Sequence, residues 1–309
     1  MKTRITELLG IEHPIFQAAL SWASSNAPLV IAVSNAGGMG VLGAGPMRPE
    51  DFKSTLRAIK AGTSKPFGVN IPLNGARAKE LLDIAIEERI PVMVASQGGP
   101  REQLPRFRAI GTKWLHVVAS VEHAKKAEAA GVDALVVDGA EAGGHPPPSN
   151  VGTIVLVRRI VRATRLPVVA SGGVADGAGV AALLALGAEA VQLGTRFIAT
   201  PEASVHENYK RAVLAADVHD SCLVGPPSLP IRQLKNAFTQ KFESAKPSER
   251  EALFKASSLK KAALEGDVEW GKVEAGQSAG LVDDILPAAE VMKRLVLELE
   301  QARNRLASL

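Results

Sequence analysis

Eight short apolar runs recur along this chain at intervals of about 21 to 33 residues, the scale of a strand followed by its crossover helix. They begin at Pro14 (PIFQAAL), Gly38 (GMGVLGAG), Pro66 (PFGVNI), Pro91 (PVMVAS), Lys113 (KWLHVVAS), Ala134 (ALVVDG), Pro167 (PVVASGG) and Ala190 (AVQLGTRFI). Each is almost continuously apolar rather than alternating, the pattern of strands covered on both faces. The segments between them read as helices. Ala76–Arg89 puts Leu81, Leu82, Ala85 and Ile86 on one face and its charges opposite. Val121–Ala130 stops at Gly131 and Val174–Leu186 at Gly187, as helices that end on a left-handed residue do. A βα repeat of this count predicts an α/β fold, a (β/α)8 TIM barrel. A doubly wound sheet is the alternative. Closure is favoured because no run reads as an edge strand.

The pattern changes near residue 200. Residues 1–200 read as the barrel, and residues 201–309 as the last barrel helix plus a helical extension packing on the barrel. Glu207–Ala215 and Glu249–Leu264 look helical, Pro226, Pro227 and Pro230 mark a loop, and Ala288–Leu306 is an amphipathic helix. The 309 residues suit two domains or one large barrel, and a 46% hydrophobic, 22% charged composition excludes a disordered chain. The net charge of +4 comes from basic residues interleaved with acids, and aromatics are only 4%, so no nucleic-acid partner is expected. A single cysteine, Cys222, excludes an internal disulfide and a multi-cysteine metal site. The six histidines are scattered without metal-ligand spacing, so no metal is expected. No apolar run reaches the roughly 18 residues of a membrane span, and the amino terminus lacks the apolar core of a signal peptide. A cytoplasmic protein without membrane partners is the expectation, and base rates make a homodimer the default.

In a barrel of this kind ligands sit at the carboxyl ends of the strands. The seventh run ends in Ser171-Gly172-Gly173 and the eighth in Gly194-Thr195, and both lead into helical patterns. Glycines there let backbone N–H groups approach an anion, and the following helix adds its positive end. A phosphate-bearing ligand is expected at this place, with Asp176 as a helix cap rather than a ligand. The sixth run leads to Glu141-Ala142-Gly143-Gly144-His145. An imidazole at such a strand end is suited to proton transfer near neutral pH. Glu141 fits a loop-orienting or a ligand-binding role equally. Gly38, Gly40 and Gly43 match a dinucleotide fingerprint by spacing alone. They lie within a strand run rather than between a strand and its helix, so close packing is the better account. No GxSxG nucleophile elbow is present.

The segments PIFQAALSW (14–22), VSNAGGMGVLGAG (33–45), KPFGVN (65–70), DGAEAGGH (138–145), 166–197 and GDVEWGKVEAGQSAGLV (266–282) resemble the FMN-dependent nitronate monooxygenase superfamily. That superfamily includes enoyl-ACP reductase II and quinone reductase relatives. The resemblance implies an FMN whose phosphate lies on Gly172, Gly173, Gly194 and Thr195. It also places Ala18, Ala19 and Leu20 along the flavin ring, with Asn70 and Gln192 as further contacts, and His145 as the active-site histidine. Gly143, Gly144 and Ser171 complete the expected cofactor set. Trp22, the 206–210 segment and the 275–282 segment are more similar to the enoyl-ACP reductase II branch, in which NADH or NADPH reduces the flavin and hydride passes to an enoyl thioester. A quinone is another acceptor. Nitronate oxidation with O2 is the alternative, and a flavin-free barrel holding a sugar phosphate is the contrasting class. The chain departs from its relatives at Ala18-Ala19-Leu20 and at Pro146-Pro147-Pro148, and its Val224–Pro230 loop lacks a Gly-His pair.

Overall fold

The structure, a computed structural model, describes residues 1–309. Eight strands form a closed, all-parallel barrel in chain order. They are Ile15–Gln17 (β1), Met39–Gly43 (β2), Gly68–Pro72 (β3), Val92–Ser96 (β4), Lys113–Val118 (β5), Ala134–Asp138 (β6), Val168–Ser171 (β7) and Ala190–Leu193 (β8). These are the eight apolar runs. Closure occurs at β1, where Phe16 sits opposite Met39 of β2 and Gln192 of β8.

Two apolar layers account for strands that are hydrophobic on both faces. Phe16, Met39, Val41, Val94, Val136 and Val169 fill the barrel interior. The short helix Arg4–Leu9 packs Ile5 and Leu9 into the same cluster and plugs one end of the barrel. The outward-facing Leu42, Val69, Leu135 and Val191 meet Leu29, Leu56, Leu82, Val157 and Leu183 of the surrounding helices. Each such side chain contributes about 1.5–3 kcal/mol when fully buried. Helix Ala78–Glu87 buries Leu81, Leu82 and Ala85, as its spacing requires. Helix Val121–Ala130 starts at Ser120, whose side chain accepts from the His123 N–H, and stops at Gly131 with φ 88°. Helix Gly177–Ala185 starts at Asp176, whose side chain caps the Gly179 N–H.

After β8 and a single turn at Thr195–Ile198 the chain leaves the barrel and builds an insertion. It contains helices Glu207–Leu214, Ala237–Ser244, Pro247–Ala256 and Leu259–Glu265 and an antiparallel hairpin of Ser221–Val224 (β9) and Ile231–Leu234 (β10). Pro226, Pro227 and Pro230 lie in the hairpin turn. The segment 249–264 is not one helix. Ser257 adopts extended backbone, and Ser258 restarts the chain as an N-cap that accepts from the Lys261 N–H. Helix Ala288–Ala307 then returns to the barrel and packs against Gly177–Ala185 and Ala27–Asn35. It buries Val291, Met292, Leu295 and Leu299, so the helix that completes the ring follows the insertion. No helix is long and apolar enough to cross a membrane.

The ring-closing helix approaches Gly177 very closely. A Cβ there would lie 2.5 Å from the Leu295 carbonyl oxygen, and the Gly177 N–H donates to the Glu298 carboxylate at 2.8 Å. Gly177→Val is expected to cost about 1–3 kcal/mol by overpacking, read as a lower denaturant midpoint. Gly99→Ala, whose Cβ would meet nothing within 4 Å, is the control and should leave the midpoint unchanged.

Candidate active site

A cavity of about 660 Å³ opens at the carboxyl ends of the strands. It is lined by Ala18, Ala19 and Leu20 beyond β1, Asn70 of β3, and Gly143, Gly144 and His145 beyond β6. Ser171, Gly172 and Gly173 at β7, Gln192 of β8, and Gly194 and Thr195 beyond it complete the set singled out from the sequence. Barrel closure brings all of them to one rim.

The β7–β8 side of the cavity carries unspent backbone donors. The N–H groups of Gly172, Gly173 and Gly194 donate to no acceptor within the chain. Gly172 (φ 106°) and Gly173 (φ 75°) occupy left-handed backbone, which turns the chain into the following helix and which side chains disfavour. Convergent, unpaired amides beside two helix starts fit a phosphate, so this chain's residues fit an FMN-type anion. Nearby, the Gln192 amide donates to Ser171 Oγ at 3.2 Å. The Asn70 amide donates to the Val94 carbonyl at 2.7 Å and Ser96 Oγ at 3.2 Å, leaving its own carbonyl oxygen without a partner in the chain. At the β1 end, Ser24 Oγ accepts from the Leu20 N–H at 2.8 Å and fixes the turn. Trp22 (φ 67°) and Gln97 (φ 53°) are held in left-handed backbone just beyond β1 and β4, strain of the kind that collects at functional rims.

The loop carrying His145 is fastened from both sides. Glu141 accepts from the Thr153 N–H (2.8 Å) and Thr153 Oγ1 (2.7 Å) at the start of helix Thr153–Val161, so its carboxylate orients the loop. On the other side Gly144 and Arg232 of β10 exchange backbone hydrogen bonds of 3.0 and 2.7 Å. The Arg232 guanidinium adds a bond from Nε to the Ala140 carbonyl at 2.8 Å and one from Nη1 to Ser221 Oγ at 3.1 Å. Gly143 must lack a side chain, because its Cβ would lie 2.7 Å from the backbone of Ala275 and Gly276. Burial, and then the charge of Lys272, hold the His145 imidazolium below the usual histidine range, so the ring is neutral at neutral pH.

The spaced glycines of β2 have a packing role. A Cβ on Gly38 would lie 2.8 Å from the Ile15 carbonyl, one on Gly43 3.0 Å from the Leu20 carbonyl, and one on Gly40 would collide with the Val30 backbone.

Several cavity residues escaped the sequence reading. His116, within β5, is buried, which pushes its pKa down, and accepts from Trp114 Nε1 at 3.4 Å. Asp138 at the end of β6 has its carboxyl pushed up by burial, opposed by a hydrogen bond with Ser171. Tyr209 and Glu274 come from the insertion. Burial raises the Glu274 carboxyl to about 7, against the pull of Lys272. Glu274 stands between Val273 and Ala275, both buried, and an acid flanked by apolar neighbours in a segment already resembling a known family was its only visible signal. No group of three or more His, Cys, Asp or Glu side chains is arranged to hold a metal ion.

A family model described as nitronate monooxygenase matches residues 2–298. The chain is 40% identical to FabK from Thermotoga maritima, covering 100% of this chain and 99% of that one with a TM-score of 0.94. It is 33% identical to a nitronate monooxygenase from Paraburkholderia phytofirmans over 99% of this chain and 97% of that protein. It is also 30% identical, over 96% of each, to the (3aS,4S,5R,7aS)-5-hydroxy-7a-methyl-1-oxo-octahydro-1H-indene-4-carboxyl-CoA dehydrogenase of Mycobacterium tuberculosis.

The Arg232 bonds predict a measurable effect on the histidine loop. Arg232→Met strips the Ala140 carbonyl of its donor and is expected to cost about 1–3 kcal/mol. Amide hydrogen exchange across residues 140–145 should rise. Unchanged exchange there would show that the backbone bridge alone holds the loop.

Proposed function

Because this chain belongs to the nitronate monooxygenase family and is an FMN-dependent oxidoreductase, we propose that it takes electrons from NADH or NADPH and reduces an acceptor whose double bond is activated by a carbonyl. An enoyl thioester is the first such acceptor and a quinone the second. The observation that carries this reading is the 40% identity to FabK, an enoyl reductase II, across the whole of both chains. The 30% identity to a dehydrogenase of an acyl-CoA thioester is in keeping with a thioester substrate.

Gly172, Gly173, Gly194 and Thr195 would hold the cofactor phosphate. Ala18, Ala19, Leu20, Asn70, Gly143, Gly144, Ser171 and Gln192 would line the remainder. When bound, FMN supplies the hydride chemistry, which no side chain can. The balance is NAD(P)H, a proton and the enoyl thioester on one side, NAD(P)+ and the saturated thioester on the other. This chain's part is to orient the acceptor, exclude water and manage the proton. His145, neutral and fastened through Gly144 to β10, presents one imidazole N–H that polarises the acceptor carbonyl as a hydrogen-bond donor.

Nitronate oxidation is the second reading, favoured by the 33% identity to a nitronate monooxygenase. There His145 would position the anion instead.

Anaerobic mixing of the yellow holoprotein with NADH and then NADPH separates the two. Bleaching of the flavin absorbance by a nicotinamide supports the reductase. Bleaching by propane-2-nitronate and by neither nicotinamide overturns it. His145→Ala should slow acceptor turnover by about 10²- to 10³-fold, the usual worth of one donor to a developing oxyanion, while FMN stays bound. Gly173→Val, strained at positive φ, should lower FMN retention on dialysis by about tenfold or more, a loss of roughly 1.4 kcal/mol.

A further inference from the structure

Glu274 is a partly buried acid that the chain itself does not use. Its carboxyl oxygens make no hydrogen bond and no ion pair within the protein, yet the residue lines the cavity. Oε2 lies only 3.2 Å from where a Cβ on Gly144 would stand, so the carboxyl is next to the backbone that carries His145. The natural counter-ion is engaged elsewhere. Lys272 Nζ donates to the Phe254 carbonyl at 2.9 Å and sits 3.4 Å from the centre of the Phe254 ring.

The backbone around Glu274 is firmly held. Tyr209 OH donates to the Glu274 carbonyl at 2.8 Å, and the Leu234 N–H donates to the Val273 carbonyl at 2.9 Å. Beyond it, the Gly276 N–H donates to Thr195 Oγ1 at 2.9 Å and the Gln277 N–H to the Glu141 carbonyl at 3.0 Å. A rigid segment thus presents one unpartnered carboxyl to the cavity. The titratable groups around it are Lys272 on its own segment, Tyr209 on helix Glu207–Leu214 and His145 on the β6 loop. Burial holds His145 neutral and raises the Tyr209 phenol well above its usual range. Lys272 is therefore the one formal charge acting on Glu274, and it does not overcome the burial.

A carboxyl raised to about 7 is about half protonated at neutral pH, and its protonated form is a hydrogen-bond donor, which a carboxylate is not. An ionised carboxyl there repels a nitronate or carboxylate that enters the cavity. We propose that Glu274 selects the acceptor: its carboxyl O–H donates a hydrogen bond to the carbonyl oxygen of an uncharged acceptor, and its carboxylate form turns organic anions away. This deepens, and rests on, the reductase reading given above.

The test is binding to the oxidised holoprotein without nicotinamide, followed through the flavin spectrum. The probes are crotonyl-N-acetylcysteamine, an uncharged enoyl thioester, and nitrate, a planar anion that cannot reduce the flavin. In the unaltered protein the thioester Kd should rise about tenfold from pH 6 to pH 8, as a carboxyl near 7 loses its proton. Glu274→Gln keeps an N–H donor without titrating. It should bind the thioester within about threefold of the unaltered protein at pH 6, with a flat pH profile, and it should bind nitrate more tightly at pH 8 than the unaltered protein does. Glu274→Leu should weaken the thioester by about tenfold at pH 6 and also flatten the profile. A Leu variant that binds the thioester normally, or a Gln variant that keeps the pH slope, overturns the assignment. The nicotinamide bleaching test reports separately. If it fails while the binding pattern holds, the electron donor is wrong and Glu274 keeps its role. If it succeeds while the binding pattern is flat, only the role of Glu274 falls.

Discussion

The barrel closes through a strand only three residues long, Ile15–Gln17, hydrogen-bonded on one side to β2 and on the other to β8. The β1–β2 register covers just Phe16 with Met39 and Gln17 with Gly40, so a side chain extends the joint. Gln17, fully buried, accepts from the Val41 N–H at 3.1 Å, and its amide donates to the Val41 carbonyl at 3.2 Å and also to the Ala18 carbonyl. A buried amide satisfied this way acts as an extra rung of the ladder, and removing it would strand backbone groups in an apolar interior. Closure is what sets Ala18–Leu20 across from Gly194. A Cβ on Gly194 would sit 3.3 Å from Leu20 Cδ2. With an open sheet those strand ends would not face a common cavity.

Two sources of chemistry meet at that rim. The β7 and β8 ends supply backbone dipoles, fixed in place and indifferent to pH. The insertion supplies titratable side chains, Tyr209 and Glu274, to the same cavity. The β6 loop runs between them, held by Glu141 at a helix start on one side and by β10 on the other. The histidine therefore depends on tertiary contacts from both halves of the chain. Its basicity is lowered by partial desolvation at the cavity rim and by the charge of Lys272.

The parts legible in the sequence are those governed by short-range periodicity or by the rule that barrel ligands sit at strand ends. The eight runs are apolar on both faces because both faces are covered, so their positions show without any knowledge of partners. Gly172, Gly173 and Gly194 were readable as a tight glycine turn from strand to helix, and the fold leaves their N–H groups without a partner in the chain, as an anion cradle would need. Asp176 was readable as a cap from the same succession. Glu141 was not decidable, because its partner Thr153 becomes adjacent only once the loop folds back. The β9–β10 hairpin was hidden because its strands are only four residues each and include Ser221, Arg232 and Gln233, whose polar character suits loops as well as strands. The break at Ser257-Ser258 was hidden because serine is tolerated inside helices and shows its preference for caps only when tertiary contacts select it. Glu274 lay beyond reach for a deeper reason. Its significance is the absence of a partner, and an absence can be seen only when every neighbour is in place.

The order of elements in the carboxyl-terminal third has a consequence for how this molecule is made. Translation delivers the whole insertion, with its hairpin and the wall bearing Glu274, before it delivers Ala288–Ala307, the helix that seals Gly177–Ala185 and Ala27–Asn35. A nascent chain paused after the insertion has apolar flanks of two ring helices facing water, and it covers them only by joining segments from opposite ends of the sequence. Loop closure over that span is slow compared with local helix formation, and exposed apolar surface in the interval is the kind that chaperones recognise. In chain order, the helix that covers those flanks comes after every residue that lines the ligand cavity.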